Sequence, residues 1–235
     1  MVSNRRMEPP APQVPLHDGI YLAVRAEPPV HLPSRPALFL DRDGVIVELV
    51  DYLHRPEDVR LTPGADLAIR EFNLAEIPVV VVSNQAGIGR GLFDWSDFAR
   101  TEAEIAAQLA RAGAYVDAVV ACPFHADGIA PYAHPDHPAR KPNPGMFQLA
   151  RDRLGLSLAA SWLVGDNISD VEAADQAGLG GAVHVLTGHG RSFLPDVRSR
   201  VAAGRNVRIA DSLPAAASML LTELRRPAGT CKPPP

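Results

Sequence analysis

Four groups of polar residues stand next to short apolar runs: Asp41-Arg42-Asp43-Gly44, Ser83-Asn84-Gln85, Arg140-Lys141-Pro142 and Gly165-Asp166-Asn167-Ile168-Ser169-Asp170. Singly, each has a bland explanation as a turn, a helix cap or a strand-to-helix junction. Their joint order points to chemistry. Several acidic side chains at one site repel unless a cation sits among them, and carboxylates beside a lysine, a serine and an amide suit magnesium plus phosphate. A carboxylate activated by that charge attacks phosphorus to give an aspartyl phosphate, and a second carboxylate two residues on donates a proton to the leaving oxygen. Asp41 and Asp43 have that spacing, while Lys141 and Ser83 suit the phosphoryl oxygens. Asp166 completes a metal shell, and Asp170, one helical turn later, is expected to bond metal-bound water or Lys141.

These groups converge only if separate strands carry them to one end of a sheet, and the hydrophobic pattern supplies such strands. Apolar runs at 37–40, 78–82, 118–121, 162–164, 182–186 and 207–209 alternate with helical periodicity at 64–75, 94–112, 144–154, 171–177 and 213–224. Thr62 and Pro63 read as N-cap and first residue of the 64–75 helix, and the stretch 188–205 reads as mobile. The alternation predicts a Rossmann-like α/β fold, a parallel sheet flanked by helices, with ligands outside the carboxyl ends of its strands. Three segments are expected: a Pro-rich extension at 1–36, one catalytic domain at 37–225 and a Pro-rich tail at 226–235. Ile20 to Val24 offers an edge strand, but a loosely attached leader is the expectation for the whole extension.

A formal net charge of -4 and a pI near 6.0 argue against nucleic-acid binding, which draws on clustered positive charge. Two cysteines, one of them in the Pro-rich tail, give no disulfide framework, and no apolar run reaches the length of a membrane span. The expectation is a cytoplasmic monomer acting on a small phosphorylated molecule, with no membrane or nucleic-acid partner. A DNA 3′-phosphatase lacks the expected basic, aromatic-interleaved stretch. A non-catalytic binding protein is at odds with the complete set of Asp41, Asp43, Ser83, Lys141 and Asp166.

DRDGVI, VVVVSNQAGIGRG, RKPNPGM and VGDNISDVEAA resemble the four motifs of the haloacid dehalogenase (HAD) superfamily over about residues 37 to 187. SNQAGIGRG and RKPNPGMF are similar to its branch of heptose-bisphosphate 7-phosphatases and histidinol-phosphate phosphatases. The resemblance implies Asp41 as nucleophile and Asp43 as general acid/base. It implies magnesium on Asp41, the Asp43 carbonyl and Asp166, with Ser83 and Lys141 on the phosphoryl group. It also implies that Arg140, Asn84, Gln85 and the segment Asp51-Tyr52-Leu53-His54 select the rest of the substrate. Asn167, also expected at the substrate, stands where the heptose branch tends to carry lysine. The expected reaction is hydrolysis of the 7-phosphate of D-glycero-D-manno-heptose 1,7-bisphosphate, with histidinol phosphate or another sugar phosphate as the alternative. The Asp43-to-Ser83 spacing leaves no room for a large cap domain, so the site should be open.

The loop from Cys122 to Asn143 is crowded with Pro, Gly and His. Cys122, His125, His134 and His137 have a spacing that a structural zinc site accepts. The heptose branch carries a zinc loop here with a C-x-H then C-x-C pattern, but Phe124 and Ala139 replace two of its ligands. The rival expectation is a metal-free loop ordered by its prolines, with histidines solvated or facing an anionic substrate.

Overall fold

A computed structural model describes residues 14–26 and 34–225. Its elements, in chain order, are β1 (Leu16–His17), β2 (Ile20–Val24), β3 (Leu38–Leu40), α1 (Ala65–Leu74), β4 (Val79–Asn84), α2 (Ala86–Gly89), α3 (Trp95–Arg111) and β5 (Ala118–Cys122). There follow α4 (Gly145–Leu154), β6 (Trp162–Gly165), α5 (Ile168–Ala177), β7 (Gly181–Val185), α6 (Gly190–Ala202), β8 (Val207–Ala210) and α7 (Leu213–Leu224).

The sheet order is β1-β2-β5-β4-β3-β6-β7-β8, with the six strands from β5 to β8 parallel. From β3 the chain builds outward through β4 and β5, then returns to β6 on the other flank of β3. The carboxyl end of β3 is therefore the switch point where the flanking loops part and leave a crevice. Alternation along the central strands feeds two cores. Leu38, Leu40, Val79 and Val81 face α1, α3 and α7, whereas Phe39, Val80 and Val82 face α4 and α5. Both sheet faces are covered, which accounts for the unbroken apolar runs.

Three expectations need correcting. Leu16 to Val24 is no loose leader: β2 pairs antiparallel with β5 from Tyr21–Ala121 to Val24–Ala118, and Tyr21 is buried against Trp95 and Phe98. The sheet thus begins well before Ala37, because the exposed edge of β5 has backbone groups to satisfy. The stretch expected to be mobile holds α6, whose Val197 packs with Val171 and Val207. Thr62 does not cap α1; its hydroxyl donates to the Val45 carbonyl at 2.6 Å, and Gly64 takes the N-cap in the left-handed region at φ 76°. Leader positions 1–13 and 27–33 and the tail from 226 lie outside the described residues. No described helix is long and apolar enough to cross a membrane.

Candidate active site

Asp41 follows β3, Ser83 lies in β4, Asp166 follows β6, and Lys141 precedes α4. Parallel register between β3 and its two neighbours brings these positions together. Lys141 is buried, and its Nζ donates to Asp41 Oδ1 at 2.8 Å and to the Val82 carbonyl at 2.8 Å. It also pairs with Asp170 Oδ1 at 2.6 Å. The lysine backbone is pinned by Asn84, whose amide donates to the Lys141 carbonyl and whose oxygen accepts from the Lys141 N–H, both at 3.0 Å.

Carboxylate oxygens of Asp41, Asp166 and Asp170 lie within 4.8 Å of one another, and they are the one group of this kind among the described residues. Asp166 is wedged between two glycines that a side chain would push into it: a Cβ at Gly44 or Gly188 would fall 2.2 or 2.0 Å from its Oδ2. The same oxygen accepts from the His189 N–H at 2.7 Å. Asp170 is fixed by the capping box of α5, where it accepts from the Asn167 N–H and the Asn167 oxygen accepts from the Ser169 N–H, both at 3.0 Å.

Burial pushes the Asp41 carboxyl up to about 6 against the opposing pull of Lys141. Burial, followed by repulsion from Asp41, pushes Asp166 up to about 8. Burial alone would lower Lys141, but Asp170 and Asp41 more than offset it and hold it protonated. Three carboxylates, two of them buried and Asp41 partly so, facing one ammonium leave excess negative charge on hard oxygen donors, and a divalent cation such as magnesium fits that deficit.

The cluster opens into a pocket of about 360 Å³ that also includes Ser83, Asn84, Arg140, Asn167, Ser169 and His189. Beside it lies a chamber of about 500 Å³ lined by Tyr52, Leu49, Val50, Asn84, Gln85 and His189, among others. Asp43, Leu49, Asn84 and His189 belong to both. Gln85 is buried, and its amide donates to Asp43 Oδ2 at 3.1 Å and Ser83 Oγ at 2.8 Å.

The expected substrate residues therefore divide. Arg140 and Asn167 line the pocket at the acidic cluster, and Tyr52 and Gln85 line the chamber. Asn84 lines both, but its amide is spent on Lys141. His54 lines neither; it donates to the Tyr52 carbonyl at 2.7 Å and stacks on Phe93. His189 was absent from the sequence expectations. The pattern that revealed Asp41 and Asp166, a polar turn after an apolar strand, also describes Thr187-Gly188-His189 after β7.

The four zinc candidates are not gathered into a site. Cys122 ends β5 inside the core, and burial pushes its thiol up to about 11. His134 Nδ1 accepts from the Asp136 N–H at 3.2 Å and His137 Nδ1 from the Ala139 N–H at 3.1 Å. An imidazole that accepts at Nδ1 carries its neutral-form proton on Nε2 and keeps no free lone pair for a metal. His125 Nδ1 likewise accepts from the Asp127 N–H at 3.0 Å. Phe124 lies flat on His137 at 3.7 Å with 1° between planes. Tyr132 meets Phe124 edge-on, and its hydroxyl accepts from Trp95 Nε1 at 2.9 Å.

The HAD-hydrolase-like family matches residues 138–216. A D-glycero-beta-D-manno-heptose-1,7-bisphosphate 7-phosphatase of Mesorhizobium japonicum is 50% identical over 147 residues, covering 63% of this chain and 68% of that protein. A HAD-like phosphatase structure from Mesorhizobium loti matches 91% of this chain and 99% of its own with a TM-score of 0.76 and 38% identity. The D,D-heptose 1,7-bisphosphate phosphatase of B. bronchiseptica, solved with magnesium and phosphate, matches 80% of this chain and 99% of its own with a TM-score of 0.69 and 34% identity. The chain belongs to this family of HAD-like phosphatases and is a phosphoric monoester hydrolase.

Proposed function

We propose that the enzyme removes the 7-phosphate of D-glycero-D-manno-heptose 1,7-bisphosphate through a phosphoryl-aspartate on Asp41. The observation that carries this reading is the contact of Asp41 with Lys141 beside Asp166 and Asp170, all four lining one polar pocket with Ser83 and Arg140. The substrate follows from its relatives' activity and from the adjoining chamber, which has room for a sugar.

Magnesium held by Asp41, the Asp43 carbonyl and Asp166 supplies charge neutralisation, so that an anionic nucleophile can approach an anionic phosphate. Lys141 and the Ser83 hydroxyl hold phosphoryl oxygens. Asp41 attacks phosphorus while Asp43 protonates the departing sugar oxygen. Asp43 then takes a proton from the water that attacks the phosphoryl-aspartate, which frees phosphate and restores Asp41. Arg140 offers a second cation in the pocket for an additional anionic group of the substrate. The loop at 122–140 serves as a metal-free wall held by the Phe124–His137 stack and the Trp95–Tyr132 hydrogen bond.

Phosphate release from a panel of heptose bisphosphate, histidinol phosphate and hexose phosphates with magnesium tests the substrate. The proposal expects kcat/KM for the heptose bisphosphate to exceed that of every other ester by at least about 100-fold, on the order of what a site built to bind a second anionic group discriminates. A preference for histidinol phosphate would replace the heptose reading and leave the chemistry intact.

A further inference from the structure

Arg42 and Glu102 are buried charged residues with no part in the steps above. Arg42 stands between the two aspartates in sequence. Its Nε donates to Asp43 Oδ1 and Oδ2 at 3.2 and 3.1 Å, and its Nη2 donates to Oδ1 at 2.9 Å. The opposite edge of the guanidinium donates from Nη1 to Glu102 Oε1 at 3.0 Å, and its Cζ lies 5.2 Å from the Phe98 ring centre. Glu102 interrupts the apolar face of α3 formed by Phe98, Ile105 and Leu109. A buried ion pair adds little stability over apolar residues of the same volume, so stability alone does not explain this interruption.

What the pair does achieve is to grip Asp43. The fork of Arg42 holds the carboxylate from one side, and the Gln85 amide holds Oδ2 from another at 3.1 Å. Asp43 is thereby fixed where the phosphate pocket meets the chamber. A leaving oxygen with its phosphate in the pocket and its sugar in the chamber must cross that junction. We propose that Arg42, aimed by Glu102, is a positioning residue that orients Asp43 for proton transfer to the leaving oxygen. The inference rests on the assignment of Asp43 as the general acid.

Aryl phosphates of graded leaving ability provide the test, with magnesium-loaded enzyme. Nitrophenolate departs without a proton, whereas phenolate needs one far more, so a misplaced acid harms phenyl phosphate selectively. For Arg42→Lys and Glu102→Gln, kcat/KM on phenyl phosphate should fall by about tenfold to a hundredfold, the scale of misplacing a catalytic group, and on p-nitrophenyl phosphate by about threefold or less. Glu102→Gln keeps the side-chain volume but takes away the charge that holds Nη1, so it loosens the aim of Arg42 and answers the question even if Arg42→Lys loses the fold. Asp43→Asn is the reference. If it shows the selective loss while both other variants lose the two substrates equally or not at all, the positioning role is overturned and Asp43 stands. If Asp43→Asn also shows no selectivity, the assignment of Asp43 falls, and the positioning role falls with it.

Discussion

Two regions of this chain carry residues of metal-binding type at suggestive spacing, and only one of them gathers those residues. Asp41 and Asp166 are fixed by adjacent parallel strands, and Asp170 by the first turn of α5, so their oxygens meet whatever the solvent does. The histidines of the 122–140 loop have no such frame. Their Nδ1 atoms turn to backbone N–H groups two residues on, and His137 pairs with the Phe124 ring. The lesson is that ligand type and spacing make a site when other parts of the fold fix the backbone, and otherwise side chains settle on the nearest partner.

The sharpest way to break this contrast is Lys141→Met. It removes the proposed phosphate contact and leaves the carboxylates uncompensated, so kcat/KM should fall by about 100- to 1000-fold, the scale of losing one preorganised charge donor. Steady-state kinetics against the unaltered enzyme checks it, and a loss below tenfold would contradict the role.

Magnesium should separate the regions next. The raised carboxyls of Asp41 and Asp166 mean that the folded metal-free protein binds protons which the unfolded chain has lost above about pH 4. Their contribution to stability is therefore complete below that pH and fades as pH rises through about 6 and then 8. Magnesium binds the ionised carboxylates and reverses the loss. At about 100 times its dissociation constant it should raise Tm by about 5 to 10 °C at pH 8, and by much less at pH 5. Thermal scans with and without the metal read this directly; an equal shift at both pH values would contradict it. Zinc at equimolar concentration with a magnesium-free sample should leave hydrogen exchange of the loop unchanged.

Smaller effects follow. Asn84→Ala frees the Lys141 backbone without touching the reacting groups, and kcat/KM should drop by about tenfold as Lys141 drifts. Phe124→Ala should cost about 1 kcal/mol or more by removing the ring from His137, lowering Tm by about 2 to 4 °C or more while changing kcat by less than about threefold.

Most of this architecture is legible from residue pattern. Buried parallel strands announce themselves as apolar runs, β3 and β6 end one residue before Asp41 and Asp166, and β4 carries Ser83 next to its end. The edge escaped for a physical reason: Leu16 to Val24 sits among prolines, and only the unpaired side of β5, invisible to local patterning, recruits it into the sheet. Arg42 and Glu102 escaped because a charge on an apolar helix face shows its purpose only when its partner, 60 residues away, is in view. Thr62 reads as a cap by type, but its hydroxyl is spent on Val45. His189 was lost because a Gly-rich turn reads as mobility until Asp166 is seen accepting from its backbone.

The central claim is that Asp41 carries the phosphoryl group. Acid-quenched turnover of the magnesium-loaded enzyme, followed by peptide mass spectrometry, tests it most directly. Phosphate should appear on the peptide containing Asp41 and vanish in Asp41→Asn, together with turnover, while the variant keeps its fold. Retained turnover in Asp41→Asn, or phosphate trapped on another residue, would contradict it.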